Sequence, residues 1–261
     1  MQKGQATLAP IEDMATGGEV SITAEDLSRT FGTVTAIDGV DLSLEGPQIL
    51  GLAGPNGSGK TTLIRLLLGL LEPTTGRAWL DGTPSLDLDA SDRERIGYMP
   101  QREAVYRDLT VRTNVEFFAQ LYGVPDRAAA AEEALALVDL EDRGDSRVAE
   151  LSGGMIRRTS LAVALVHDPD ILILDEPTVG LDPALRAEMW ETFRTRRDEG
   201  TLTLVSTHYL GEAGNCDRVL FLREGSVLDV DTPEAFLRRT GTEDLEGAFL
   251  ELLGNHGGAD P

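Results

Sequence analysis

Residues 54–62 form a glycine-rich segment that constrains the fold more than any other part of this sequence. The short apolar run 49–53 before it is typical of a buried strand, and the run 61–68 after it is typical of a core helix. In that context the pattern Gly, any four residues, Gly-Lys-Ser/Thr predicts a phosphate-binding loop. The alternative is a glycine-rich turn with a chance lysine. The residues of the loop are Gly54, Pro55, Asn56, Gly57, Ser58, Gly59, Lys60, Thr61 and Thr62.

The residue types in this loop suit a nucleoside triphosphate with magnesium. Glycines allow successive backbone N–H groups to point at one anion, and the N-terminus of the following helix adds partial positive charge. Lys60 brings a full charge to the terminal phosphates, and the Thr61 hydroxyl is placed to bind Mg²⁺.

Length and composition allow one large α/β domain or two small ones, since the chain has 261 residues of which 41% are hydrophobic. The single cysteine, Cys216, excludes an internal disulfide. No stretch approaches the roughly 20 apolar residues of a membrane helix, and the N-terminus lacks a signal pattern. We therefore expect a cytosolic protein that reaches a membrane only through a partner.

The charge balance is strongly acidic, with 45 Asp and Glu against 23 Lys and Arg and a formal charge of −22. Nucleic-acid binding calls for a basic face, so we expect no nucleic-acid partner. Lys3 and Lys60 are the only lysines. A halophile's surface explains the acidic excess, whereas a GC-rich genome explains only the scarcity of lysine.

Periodicity divides the chain into segments. Residues 1–18 lack periodicity and are expected to be a flexible tail, whereas 20–23 and 40–44 alternate as strands of an N-terminal antiparallel ribbon. The helical segment 102–165 is inserted between the two halves of an α/β core, and 241–261 forms a short helix with a tail frayed from Asn255 to Pro261. The sequence thus predicts a mostly parallel sheet with core halves at 19–101 and 166–231.

Two carboxylates follow the continuous apolar run 171–174, which is typical of a buried parallel strand. Ligands bind at the carboxyl ends of such strands. Asp175 is therefore suited to hold magnesium and Glu176 to orient the attacking water, the alternative being a solvated acidic turn. The next buried strand, 202–205, brings His208 to the same edge, where we prefer a γ-phosphate contact to a structural histidine.

Three further places in the sequence carry weaker signals for nucleotide binding. Ser152 is a good N-cap, and with Gly153 and Gly154 it opens a helix that is either an anion site or an ordinary capped helix. Asp182 caps the helix that starts at Pro183. Phe31 either stacks on a nucleotide base or belongs to the core.

Taken together and in this order, these segments resemble an ATP-binding cassette (ABC) ATPase over roughly residues 19–240. The resemblance implies a RecA-like phosphate-loop core that binds ATP and Mg²⁺. It implies that Phe31 stacks on adenine and that Gln101 reaches the magnesium and links to the helical insertion. It also implies roles at the nucleotide for the signature Ser152, Gly153 and Gly154 of the opposite subunit, for the dimer-seam Asp182 and for the switch histidine His208.

The resemblance also implies partners. Two copies, or this chain and a close relative, would enclose two ATP molecules head to tail and drive a permease on a separate chain, with docking near residues 101–118 at the cytoplasmic side of the membrane. Met155, where glutamine is commoner, resembles exporter cassettes of the drug-resistance type, and Val179 is a mild departure. The alternatives are a soluble cassette ATPase of translation or DNA repair and a regulator that binds nucleotide without hydrolysing it.

Overall fold

The computed structural model describes residues 20–256, with side chains through residue 254. Its ten strands are β1 Ser21–Phe31, β2 Val34–Glu45, β3 Ile49–Ala53, β4 Thr75–Leu80, β5 Thr83–Pro84, β6 Ile96–Met99, β7 Ile171–Asp175, β8 Leu202–Thr207, β9 Arg218–Arg223 and β10 Ser226–Asp231. Its eight α-helices are α1 Lys60–Leu67, α2 Ala90–Arg93, α3 Val111–Leu121, α4 Arg127–Leu137, α5 Gly153–Leu165, α6 Pro183–Asp198, α7 Pro233–Thr240 and α8 Leu245–His256.

The strands form two sheets. The first has the order β2-β1-β4-β5 and is antiparallel throughout. The second has the order β10-β9-β3-β8-β7-β6 and is parallel from β9 to β6, with β10 antiparallel at one edge. The predicted α/β fold with an N-terminal antiparallel ribbon and a mostly parallel core sheet is confirmed.

The parallel strands are buried on both faces, which is why they read as continuous apolar runs. Along β7, Ile171 and Ile173 pack with α1 and the antiparallel sheet, whereas Leu172 and Leu174 pack with α3 to α6 on the opposite face. Because side chains alternate across a strand, Asp175 continues the row of Ile171 and Ile173 and lies on the α1 face.

The helices of segment 102–165 share one buried cluster with the sheet rather than forming a core of their own. Val115 of α3, Leu135 of α4 and Leu161 of α5 belong to the same cluster as Leu174 of β7 and Phe221 of β9. Packing on the sheet therefore fixes this helical segment relative to the strand ends. The exact boundaries of the segment remain a prediction.

The C-terminal helix extends further than expected. Asn255 and His256 were expected to fray but belong to α8. Leu245, Ala248 and Leu252 are buried at helical spacing, and this packed face stabilises the helix along its length. The predicted tail at 1–18 and residues 257–261 lie outside the described part of the chain. No helix within residues 20–256 is long and apolar enough to span a bilayer.

Candidate functional site

The predicted phosphate loop connects β3 to α1, as the sequence indicated. Gly59, the residue before α1, has φ +110°, which is a conformation that L side chains rarely adopt. A Cβ atom at Gly54 would lie 2.2 Å from the carbonyl oxygen of Leu222, so only glycine fits against β9 at this position. The loop is therefore shaped by its glycines, and Pro55, Asn56 and Gly57 lie exposed at its tip.

Lys60 is the first residue of α1 and its side chain is buried. Its Nζ donates to the carbonyl oxygens of Gly54 at 2.8 Å and Pro55 at 3.1 Å and lies 3.5 Å from Glu176 Oε1. Burial lowers the pKa of Lys60, and the neighbouring Glu176 and Asp175 carboxylates oppose that shift. The ammonium group is thus held inside the loop and next to a carboxylate.

Asp175 is fully buried at the end of β7. Its Oδ1 accepts a hydrogen bond from Ser206 Oγ at 2.6 Å, because the parallel register places Asp175 beside Ser206 on β8. Its Oδ2 is buried and has no hydrogen-bond partner among residues 20–254. A buried carboxylate oxygen without a partner is costly unless a ligand satisfies it.

Glu176 has three polar neighbours around its carboxylate. Its Oε2 accepts a hydrogen bond from Gln101 Nε2 at 3.1 Å. Its Oε1 lies 3.2 Å from His208 Nδ1, a pair that is close in distance but not aligned as a hydrogen bond, and 3.5 Å from Lys60 Nζ. Lys60 of the predicted phosphate loop, Gln101 and the predicted sheet-edge residue His208 therefore converge on a single buried carboxylate.

The Glu176 backbone is unusual, since its φ of +53° is uncommon for a residue other than glycine. Two bonds hold it there: its N–H donates to Ser206 Oγ at 2.9 Å, and its carbonyl oxygen accepts from Arg157 Nη2. Sequence reasoning gave no role to Ser206 or Arg157. The position of Ser206 near the end of β8 is visible in the sequence. Its pairing with Asp175 is not, because that pairing depends on the register between β7 and β8.

A second polar group, formed by Thr178, Glu212 and Arg186, was also not predicted from the sequence. Thr178 Oγ1 donates to the buried Glu212 Oε2 at 2.6 Å, and Glu212 Oε1 lies 3.0 Å from Arg186 Nε without hydrogen-bond alignment. The Arg186 guanidinium lies 5.5 Å from the ring centroid of Tyr209, and that ring packs on His208 at 4.1 Å. The group therefore links the loop after β7 to the loop that carries His208.

Other predicted residues make their contacts outside the Glu176 group, which consists of Glu176 with Lys60, Gln101 and His208. Ser152 caps α5 by accepting from the Met155 N–H at 3.3 Å, and Asp182 caps α6 by accepting from the N–H groups of Ala184 and Leu185. Phe31 is 45% exposed, with the Arg29 guanidinium 4.6 Å from its ring centroid. Within residues 20–254, no hydrogen bond or ion pair joins the side chains of Ser152, Asp182 or Phe31 to Lys60 or Glu176.

The residues that could hold a cation are few. Within residues 20–254 no group of three or more His, Cys, Asp and Glu side chains has the arrangement of a metal site. Mg²⁺ usually takes one or two carboxylates and completes its shell with water and substrate phosphates. Asp175 Oδ2, which has no hydrogen-bond partner within residues 20–254, lies at the end of β7 and fits that requirement.

Comparison with known proteins agrees with this geometry. The sequence model of the family described as ABC transporter matches residues 37–179. The chain is 40% identical over 215 residues to the Nod factor export ATP-binding protein I of Burkholderia lata, an alignment covering 81% of this chain and 71% of that protein. It is 35% identical over 248 residues to the probable multidrug ABC transporter ATP-binding protein YbhF of Escherichia coli K12, covering 91% of this chain. That alignment spans 42% of YbhF, so the chain corresponds to less than half of this relative.

Solved structures have the same fold. An ATP-binding subunit of an ABC transporter superposes with a TM-score of 0.80 at 28% identity, covering 89% of this chain and 99% of that one. The cassette MJ0796, solved as a dimer in a post-hydrolysis state with ADP and Pi, superposes with a TM-score of 0.75 at 26% identity, covering 81% of this chain and 98% of that one. With its phosphate loop, its paired carboxylates and these matches, the chain belongs to the ABC transporter family, as an ABC ATPase cassette.

Proposed function

We propose that this chain is the ATP-hydrolysing subunit of an exporter in the cytoplasmic membrane, working with a permease on a separate chain. The observation that carries the proposal is the convergence of Lys60, Gln101 and His208 on the buried carboxylate of Glu176. A cation, an amide and an imidazole around one carboxylate at the mouth of a phosphate loop suit hydrolysis of a terminal phosphate.

In the proposed reaction, Lys60 and the N–H groups of the loop bind the phosphates of ATP. Thr61, Gln101 and Asp175 would hold Mg²⁺, Asp175 through the water shell of the ion, and the bound ion would neutralise negative charge on the terminal phosphates. Glu176 orients and polarises the attacking water, and His208 contacts the γ-phosphate. Phe31, with one ring face next to Arg29, offers the other face to adenine.

A second subunit would complete the site. Ser152, Gly153, Gly154 and Asp182 are assigned to nucleotide binding by resemblance, yet the side chains of Ser152 and Asp182 make no hydrogen bond or ion pair with the Glu176 group in the described part of this chain. A head-to-tail pair brings the first turn of α5 in one copy to the phosphate loop of the other. MJ0796, a cassette solved as a dimer, supports the pairing of two copies.

We expect the permease to dock near residues 101–118. Tyr106 is 52% exposed and forms an aromatic cluster with Phe117 and Phe118, with centroid distances of 5.3 and 6.4 Å. A groove of about 410 Å³ is lined by Leu121 and Tyr122 at the C-terminal end of α3. Exposed aromatic side chains and an apolar groove both suit a helical segment of a partner. Crosslinking to a permease at another face would contradict this assignment.

The direction of transport rests on two observations. Met155 stands where the family resemblance implies glutamine in most members, and the relatives reported above are named as export or multidrug ATP-binding proteins. Both favour export.

ATP turnover tests the hydrolytic role. We expect the wild type to hydrolyse ATP with Mg²⁺ and Glu176→Gln to lose about 10²- to 10³-fold in kcat, in the range of a lost general base. Glu191→Gln is the matched control, because that carboxylate lies exposed on α6. A wild type as inactive as Glu176→Gln would favour a regulator that binds nucleotide without hydrolysing it.

A further inference from the structure

Arg157, one turn into α5, makes its hydrogen bonds to the backbone where two neighbouring strands end. Its Nη1 donates to the carbonyl oxygen of Gln101 at 2.8 Å, and its Nε donates to that of Pro177 at 3.0 Å. Its Nη2 donates to the carbonyl oxygens of Asp175, at 3.3 Å, and Glu176. One planar guanidinium therefore holds four consecutive or facing peptide groups in a single geometry.

These bonds fall on the peptides that set the direction of the Glu176 side chain. With φ at +53°, the Glu176 backbone is in the left-handed region, where a residue other than glycine remains only if its surroundings hold it. Ser206 Oγ accepts from the N–H on one side, and Arg157 donates to the carbonyl oxygen on the other. Without Arg157, the carbonyl side of this residue would lose its charged partner.

Arg157 also holds the other end of the Gln101–Glu176 contact. The Gln101 side chain donates to Glu176 Oε2 at 3.1 Å, and the Gln101 backbone accepts from Arg157 at 2.8 Å. Burial lowers the pKa of Arg157, while Glu176 and Asp175 oppose the shift, so a partly desolvated cation is kept here by its hydrogen bonds.

We propose that Arg157 is a positioning residue for ATP hydrolysis, which fixes the orientation of Glu176 and ties it to the signature segment Ser152–Gly154 at the start of the same helix. The inference rests on the proposed role of Glu176. Ser152 is the N-cap of α5 and Arg157 follows five residues later. Any displacement of α5 by nucleotide held on a second copy is therefore transmitted to Glu176 of its own site.

The test compares Arg157→Lys with Arg158→Lys. Arg158 is the next residue of the same helix and also donates to carbonyl oxygens, those of Val138 and Asp139 at 3.0 and 2.9 Å, which lie away from the Glu176 group. Lysine keeps the charge but cannot present the planar fork. We expect Arg157→Lys to lower kcat about 10- to 100-fold, as small misplacements of catalytic groups do, with the KM for ATP within about threefold of wild type. Arg158→Lys should keep wild-type kcat.

A double variant separates positioning from general loss of structure. If Arg157 acts through Glu176, Arg157→Lys should change the residual turnover of Glu176→Gln by less than about twofold, because residues that act as a unit are not additive. Arg157→Gln serves in the same cycle should the lysine variant not fold. The urea midpoints of unfolding of Arg157→Lys and Arg157→Gln are compared with that of the wild type, to show whether each variant is folded.

The outcomes are distinct. Wild-type kcat in Arg157→Lys, or an undiminished further loss in the Glu176→Gln background, would overturn the inference while leaving the role of Glu176 intact. Full turnover in Glu176→Gln alone would instead overturn the proposed function. A parallel loss of kcat in Arg158→Lys would show that α5, not the Arg157 bonds, sets the rate, and would also overturn the inference.

Discussion

Ser206 Oγ donates to Asp175 Oδ1 at 2.6 Å, across the parallel pair β8–β7. The same oxygen accepts from the N–H of Glu176 at 2.9 Å. One hydroxyl therefore positions the carboxylate proposed for Mg²⁺ and the backbone of the residue proposed to orient water. The Ser206 side chain is fully buried, so no solvent molecule replaces its hydroxyl when a substitution removes it.

Ser206→Ala should lower both stability and turnover. Leaving a buried carboxylate oxygen without its donor costs about 1 to 3 kcal/mol in the free energy of unfolding. We expect kcat to fall about tenfold, because Asp175 and Glu176 lose a shared anchor, and Ser206→Thr to restore most of it. The measurements are urea unfolding and ATP turnover.

Thr203→Val is the matched control for Ser206→Ala. Thr203 lies on the same strand and is equally buried, and in the described part of the chain its Oγ1 has no hydrogen-bond partner. Replacing an unpartnered hydroxyl by a methyl group of the same shape should be neutral or stabilising. A Ser206→Ala variant as stable and active as Thr203→Val would contradict the anchoring role.

The Glu212–Arg186 pair should couple energetically. Glu212 is buried and its two oxygens face Thr178 and Arg186. Removing one partner leaves the other charge poorly compensated. In a cycle of Glu212→Gln, Arg186→Met and the double variant, we expect a coupling of about 1 to 2 kcal/mol in the free energy of unfolding. Strict additivity would show that the two side chains are only neighbours.

Acid should destabilise the folded protein through the buried imidazole of His167. His167 stacks on Tyr122 with centroids 3.8 Å apart and lies 3.2 Å from the Ile96 carbonyl oxygen, and burial lowers its pKa to about 4, with Ile96 and Asp168 opposing. In the unfolded chain its pKa is about 6.5, so between those values the unfolded state binds more protons. The neutral ring thus contributes stability above pH 6.5 that is lost as pH falls toward 4.

A comparison with His167→Gln isolates that effect, because the carboxylates titrate alike in both proteins. From pH 7 to pH 5, the free energy of unfolding of the wild type should fall by about 1 to 2 kcal/mol more than that of the variant. Equal losses in the two proteins would mean that the imidazole is no more protected in the folded chain than in the unfolded one.

The strands and loops of this site were predictable from the sequence, whereas most of its side-chain contacts were not. The glycine pattern at 54–62 and the apolar runs before Asp175 and His208 reflect local backbone and burial requirements, which are visible in one sequence. The roles of Ser206 and Arg157 depend on strand register and on the packing of α5 against two strand ends. Such contacts join residues far apart in the chain, so local patterns do not reveal them.

Salt tests the acidic surface. With a formal charge of −22, we expect the urea midpoint to rise as KCl increases from 0.1 to 2 M, because screening reduces repulsion among carboxylates. Exposed pairs such as Arg95 with Asp170 would weaken, but each contributes at most about 1 kcal/mol. Sucrose, which is uncharged, is the control for general exclusion effects. Full folding and activity in dilute buffer would contradict the halophile hypothesis.

Completion of the nucleotide site by a second copy is tested most directly by sedimentation of Glu176→Gln with saturating ATP and Mg²⁺. Blocking hydrolysis should hold the closed pair, so we predict a dimer with ATP and a monomer with ADP. Gly154→Asp in the same background should stay monomeric, because a carboxylate at the start of α5 would repel the γ-phosphate of the other copy. A Glu176→Gln protein that binds ATP yet remains a monomer would contradict the role of a second copy in the nucleotide site.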